Sequence, residues 1–61
     1  MKIIKLTSKR MNKPVYININ YIGDFYEYEG GTSVGVTTHN NGGFKVEESV
    51  EEVMKLILEL M

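Results

Sequence analysis

The sequence predicts an α+β fold: a small, curled antiparallel sheet of four or five strands, built from two or more hairpins, with one C-terminal α-helix packed on it. Three observations predict it. Before residue 49 the chain is a series of short segments with period-two alternation of apolar and polar residues. Connections rich in Gly, Asn and Pro separate those segments. The closing stretch, "VEESVEEVMKLILELM", switches to helical periodicity behind a capping signal.

The first element is "KIIKLTS", β-branched and partly alternating, which predicts a strand over residues 2–8. Ile4 and Leu6 share one face, and Ile3, Lys5 and Thr7 the other. "KRMNK" is a polar turn. Pro14 suits a strand's first position, where its missing N–H does no harm, and "VYINI" predicts a second strand over 15–19 with Val15, Ile17 and Ile19 on one face. A third strand is expected over 22–29. In a regular strand Ile22, Tyr26 and Tyr28 would share a face and leave Phe25 opposite, and Gly23 marks a bend or bulge that resets the alternation. Pairing order and the register around Gly23 are not set by the sequence.

"EGGT" predicts a tight hairpin with Gly30–Gly31 as its two-residue connection. A fourth strand follows over 33–39, with Val34, Val36 and Thr38 on one face. "NNGG" supplies residues that tolerate positive φ. A fifth strand, 44–47, turns Phe44 and Val46 inward and Lys45 and Glu47 outward. The helix is expected over 49–61. Ser49 and Glu52 have capping-box spacing, Glu51 and Glu52 face the positive end of the helix dipole, and Lys55 follows Glu51 by one helical turn. The acidic cluster Glu47, Glu48, Glu51 and Glu52 is therefore the start of a helix rather than a set of catalytic carboxylates. The expected core is Ile4, Leu6, Val15, Ile17, Ile22, Val34, Val36, Phe44, Val46, Val50, Val53, Met54 and Ile57.

A chain of 61 residues forms a single domain, 1–61, and is near the lower size limit for a stable core. It has no cysteine and one histidine, which excludes disulfides, cysteine-based metal sites and a histidine-rich metal site. No apolar run reaches the roughly 18–20 residues that span a bilayer, and "MKIIKLTSKR" lacks the features of a signal peptide. The expectation is a soluble, cytoplasmic protein without membrane insertion.

No nucleotide-binding glycine motif occurs, and the glycine pairs Gly30–Gly31 and Gly42–Gly43 are hairpin glycines. Ser33, Thr37, Thr38 and His39 have no spacing that makes a nucleophile–base pair. Asp24, Glu27 and Glu29 lack the dense ligand run of a calcium loop. No catalytic residue, metal site or cofactor is expected, and the protein is not expected to be an enzyme.

Three surfaces carry the functional expectations. At about 100° per residue, the helix's apolar residues cover about 200° of its circumference, wider than a helix lying on a sheet needs. The surplus at Leu56, Leu58, Leu60 and Met61 needs cover, either in the mouth of a barrel or from a second copy. For so small a core, self-association as a homodimer or other oligomer is the expectation, and Leu56→Glu then yields a folded monomer. Tyr26 and Tyr28, interleaved with acids, fit a protein partner better than a nucleic acid. Net charge is −1, but residues 1–14 hold Lys2, Lys5, Lys9, Arg10 and Lys13 and no acid. Lys5, Lys9, Arg10 and Lys13 are thus the alternative, a nucleic-acid contact.

The order of these signals resembles the small bacterial flagellar proteins of the FlbD/SwrD type. The matching pieces are "IKLT", "VYININYI", Phe25 three residues after Ile22, "TSVGVTT", a glycine turn and "KVEESVEEVMKLI", where a valine, a glutamate and a serine lead into a Glu-Glu-Val helix. The chain departs from that family at "SKRMNKP" and "EGGT", where the family has Asn-Gly-Lys and Pro-Asp-Thr turns. A shorter likeness, over "YIGDFYEYEGGTSVGVTT", is to the β-rich LytTR-type DNA-binding domain, without its further basic segment. The fuller resemblance implies a bacterial or phage cytoplasmic accessory protein without enzymatic activity. The functional expectation is a non-catalytic interaction or regulatory domain that self-associates through its helix.

Overall fold

The computed structural model describes residues 2–37 and 43–61. Its elements run β1 (Ile3–Thr7), β2 (Pro14–Asn18), a 3₁₀ turn (Ile19–Tyr21), β3 (Ile22–Tyr28), β4 (Gly31–Val36), β5 (Phe44–Val46) and α1 (Val50–Leu60). The fold is α+β, and all strand pairings are antiparallel. One curled sheet was expected. The strands instead form two sheets, β1-β2 and β3-β4-β5. β5 is only three residues long, so it meets β1 only at that strand's end. The junction is a bridge between Ser8 and Val46, flanked by hydrogen bonds from Lys9 N–H to the Lys45 carbonyl and from Glu47 N–H to the Thr7 carbonyl, each 2.9 Å.

The core lies between the sheets and under the helix. It consists of Ile4, Leu6, Ile17, Val34, Val36, Val46 and Val53, with Val15, Ile19, Ile22, Phe25, Phe44, Leu56 and Ile57 half-buried around it. Val50 and Met54 were expected here and are not part of it: Val50 is half-buried outside this cluster, and Met54 is 46% exposed. Val53 is the helix residue sealed against the sheets, and Met54 lies about 100° further round the helix. Leu56 and Ile57 take the places beside Val53.

The β3–β4 connection is Glu29–Gly30 rather than Gly30–Gly31. Tyr28 pairs with Gly31, and the two linking residues have φ of 48° and 84°, as a type I′ turn requires. Gly31 is a glycine for a different reason. The Val46 carbonyl oxygen occupies the space a Cβ there would need, so the small residue lets β5 close over β4. The expected irregularity at Gly23 is a register shift between Ile22 and Asp24. It brings Ile22 opposite Val36 and Phe25 opposite Val34, leaving both half-buried while Tyr26 and Tyr28 stay exposed.

Local chemistry sets the other boundaries. β2 opens at Pro14 and stops at Asn18, whose side chain accepts from the Asn20 N–H at 2.9 Å and starts the 3₁₀ turn. Ile19 therefore lies in that turn and not in the strand. In the β1–β2 turn, Asn12 takes a left-handed φ of 55°. Ser8 closes this turn by donating from its N–H to the Lys13 carbonyl and accepting from the Asn12 N–H at its own carbonyl. Its hydroxyl also accepts from the Met11 N–H. Ser49 caps α1 by accepting from the Glu52 N–H at 3.1 Å. The expected "NNGG" turn and the strand end at Thr38 and His39 lie outside the described residues.

Candidate functional site

Two exposed surfaces follow from this architecture. The first is the side of α1 turned from the sheets. Met54, Leu58 and Met61 follow one another at helical spacing and are 46%, 60% and 80% exposed. Glu51, Lys55 and Glu59 line the same shallow groove as Met54 and Leu58. Of the residues expected to be surplus, Leu58 and Met61 lie on this stripe, whereas Leu56 packs half-buried against the core. Leu60, 37% exposed, sits at the end of the buried side. The sequence indicated an over-wide apolar arc correctly but not which flank was uncovered. A charge at Leu56 would strike the core as well as any interface, so Leu58 is the position that probes the surface alone.

The second surface is the outward face of β3-β4-β5. Strand alternation puts Asp24, Tyr26 and Tyr28 on it, while Phe25 and Glu27 point toward the helix side. The row across the sheet at this level is Tyr26, Ser33 and Lys45. The Lys45 ammonium stands 5.0 Å from the centroid of the Tyr28 ring, within reach of a cation–π attraction. Lys9 reaches the same corner and donates from Nζ to the Glu29 carbonyl. The tyrosines and part of the basic hairpin, separate in the sequence, are thus neighbours in the fold.

The four basic candidates do not converge. Lys5 pairs with the exposed Tyr16 in the middle of β1-β2. Lys9 is engaged with the β3–β4 turn, and Arg10 and Lys13 lie in the β1–β2 connection. Arg10 lines a groove with Met11, Phe44 and Lys45. Sequence reasoning missed Lys45 as a member of this surface, because only the bridge at Ser8 and Val46 brings β5 beside the turn.

It also missed what Glu48 does. Its side chain accepts from Thr7, and its backbone carbonyl accepts from the Thr32 hydroxyl at 2.7 Å. This acid ties the helix entry to both sheets. Ser33, one of the hydroxyls weighed for chemistry, is buried, and His39 lies outside the described residues. Among the described residues no group of three or more His, Asp or Glu side chains could hold a metal ion, and no helix is long and apolar enough to cross a membrane.

Fold and surfaces together define a small α+β domain with an uncovered apolar helix stripe and an aromatic, charged sheet face. No family model, curated protein or solved structure matches the chain.

Proposed function

We propose that the protein is a non-catalytic interaction domain that self-associates through the outer side of α1. The observation that carries this reading is the stripe Met54, Leu58 and Met61, exposed on a helix whose opposite side is already packed on the core. A domain this small does not gain by showing water three large apolar side chains in a row. The bordering charges suit a second copy. Lys55 lies between Glu51 and Glu59, one helical turn from each. Two antiparallel helices crossing near Leu58 set Lys55 of each copy against Glu59 of the other. The resemblance to FlbD/SwrD-type proteins supplies the setting, that of a small bacterial accessory or regulatory protein.

Sedimentation velocity over a range of concentrations tests this. The wild-type chain is expected to sediment as a dimer or larger species, and Leu58→Glu as a folded monomer. A wild type that stays monomeric throughout, or a Leu58→Glu variant with unchanged mass, would overturn the reading.

A second reading, nucleic-acid contact through Lys5, Lys9, Arg10 and Lys13, is favoured by one observation: Lys9 stands beside Lys45 and Tyr28, adding a cation and an aromatic face to the basic turn. Against it, Glu29 and Glu47 are exposed nearby, and carboxylates repel phosphate. This reading requires binding to single-stranded DNA or RNA that weakens steeply with salt. The absence of such binding at low salt would dismiss it.

A further inference from the structure

We propose that the outer edge of β3 is a docking site for an extended, basic peptide segment, which adds to the sheet as a further strand. The observations are independent of the helix. β3 is the longest strand, Ile22–Tyr28, and is hydrogen-bonded on one side only, to β4. Among the described residues no strand pairs with its other edge.

The register says which groups are free. A two-residue turn makes Tyr28 and Gly31 a hydrogen-bonded pair. Antiparallel pairing alternates, so Tyr26–Ser33 and Asp24–Gly35 are also bonded pairs. The N–H and C=O groups of Phe25 and Glu27 therefore point out of the sheet. They present two donor–acceptor sets about 7 Å apart, the repeat of one strand against another. Devices that blunt an edge include charged side chains, above all lysine, as well as proline and mid-strand bulges. Here the edge charges are the carboxylates of Asp24 and Glu27, and they repel another acidic edge. β3 has no lysine or proline, and its register shift lies at the far end, before Asp24.

Charge selects the occupant. Asp24, Glu27 and Glu29 are exposed along this edge and its turn, and no Lys or Arg occurs between Lys13 and Lys45. A second β3 edge would bring the same three carboxylates and be repelled, and nucleic acid would be repelled for the same reason. A segment alternating Lys or Arg with apolar residues sets its cations on the face that carries Glu27 and its apolar residues on the opposite face, beside Tyr26 and Tyr28. Backbone pairing supplies affinity and the alternating side chains supply selectivity.

The test uses isotope-labelled protein and the synthetic hexapeptide acetyl-Lys-Val-Lys-Val-Lys-Val-amide, with a Glu-for-Lys version as control, followed by amide NMR. The lysine peptide is expected to shift and protect the amides of Phe25 and Glu27, and the glutamate peptide to bind weaker by about tenfold or more. Glu27→Pro removes an outward N–H and no bond to β4, so it should abolish binding while keeping the spectrum of the folded chain. Should that variant unfold, Glu27→Lys is expected to reverse the preference between the peptides. The proposal is overturned if no saturable shift occurs at millimolar peptide, if the shifts map elsewhere, or if the charge-reversed variant keeps the original preference. It is also overturned if the same amides shift on concentrating the protein alone, which would make a second copy the occupant. Leu58→Glu should leave peptide binding intact, which separates this site from the helix surface.

Discussion

The Glu48 carboxylate holds Thr7 twice: Oε1 accepts from the Thr7 backbone N–H at 2.9 Å, and Oε2 accepts from the Thr7 hydroxyl at 2.9 Å. The need for it lies in the β1-β2 ladder. Thr7 stands opposite Pro14, and its N–H points away from β2, at the place where β1 begins to meet β5. A residue that enters the helix from the second sheet thus completes the hydrogen bonding of the first.

Removing that carboxylate leaves a half-buried N–H without its partner. Glu48→Ala is expected to lower stability by about 2–3 kcal/mol, a large share of the total for so small a domain. Thr7→Val, which loses only the hydroxyl bond, should cost about 1 kcal/mol. The two changes together should cost less than their sum, because they share a bond. Urea midpoints at fixed protein concentration measure all three, and strict additivity would show that the clamp contributes nothing as a pair.

The two faces of α1 should respond oppositely to truncation. Val53 is fully buried, so Val53→Ala is expected to cost about 2 kcal/mol of stability. Met54→Ala, its exposed neighbour, should change monomer stability by no more than about 0.5 kcal/mol while weakening self-association. Thermal melts and sedimentation on the same two variants separate these effects.

The β3–β4 turn carries a correctable strain. Glu29 holds a left-handed φ of 48°, a conformation that costs a non-glycine residue about 1–2 kcal/mol and that asparagine tolerates better. Glu29→Asn creates the Asn-Gly pair favoured in this turn and keeps the backbone carbonyl that Lys9 contacts. It is expected to raise stability by about 0.5–1 kcal/mol, read as a higher melting temperature.

Gly31→Ala should be among the most damaging small changes. The added methyl meets the Val46 carbonyl oxygen, a backbone atom that cannot swing aside. Overpacking of this kind costs about 1–3 kcal/mol and should loosen β5 first. Faster amide exchange at Thr32 and Val46 than at Leu6 would show this, and uniform exchange would argue against it.

Much of the fold was legible because it rests on local rules. Ser49 reads as a helix cap from its spacing to Glu52, and the cap is formed. Pro14 reads as a strand start and is one. Gly23 reads as a break in alternation, and the register shifts there. The candidate surfaces were only partly legible. Leu58 and Met61 are exposed, and Leu56 and Met54 exchange roles, Leu56 packing on the core and Met54 facing out. An apolar arc wider than its contact does not reveal which flank the sheets will cover.

What the sequence determined by itself was therefore the identity of the elements, through periodicities of two and 3.6, caps and turn residues, all of which act over a few neighbouring positions. What only the tertiary structure decided was how those elements meet: two sheets instead of one, Glu48 on Thr7, Gly31 under Val46, Lys45 beside Tyr28, and β3 at an open edge. Each of these joins residues far apart in the chain. Each depends on which surfaces best fill space and pair their polar groups together, a choice made by packing over the whole domain and not by local propensity.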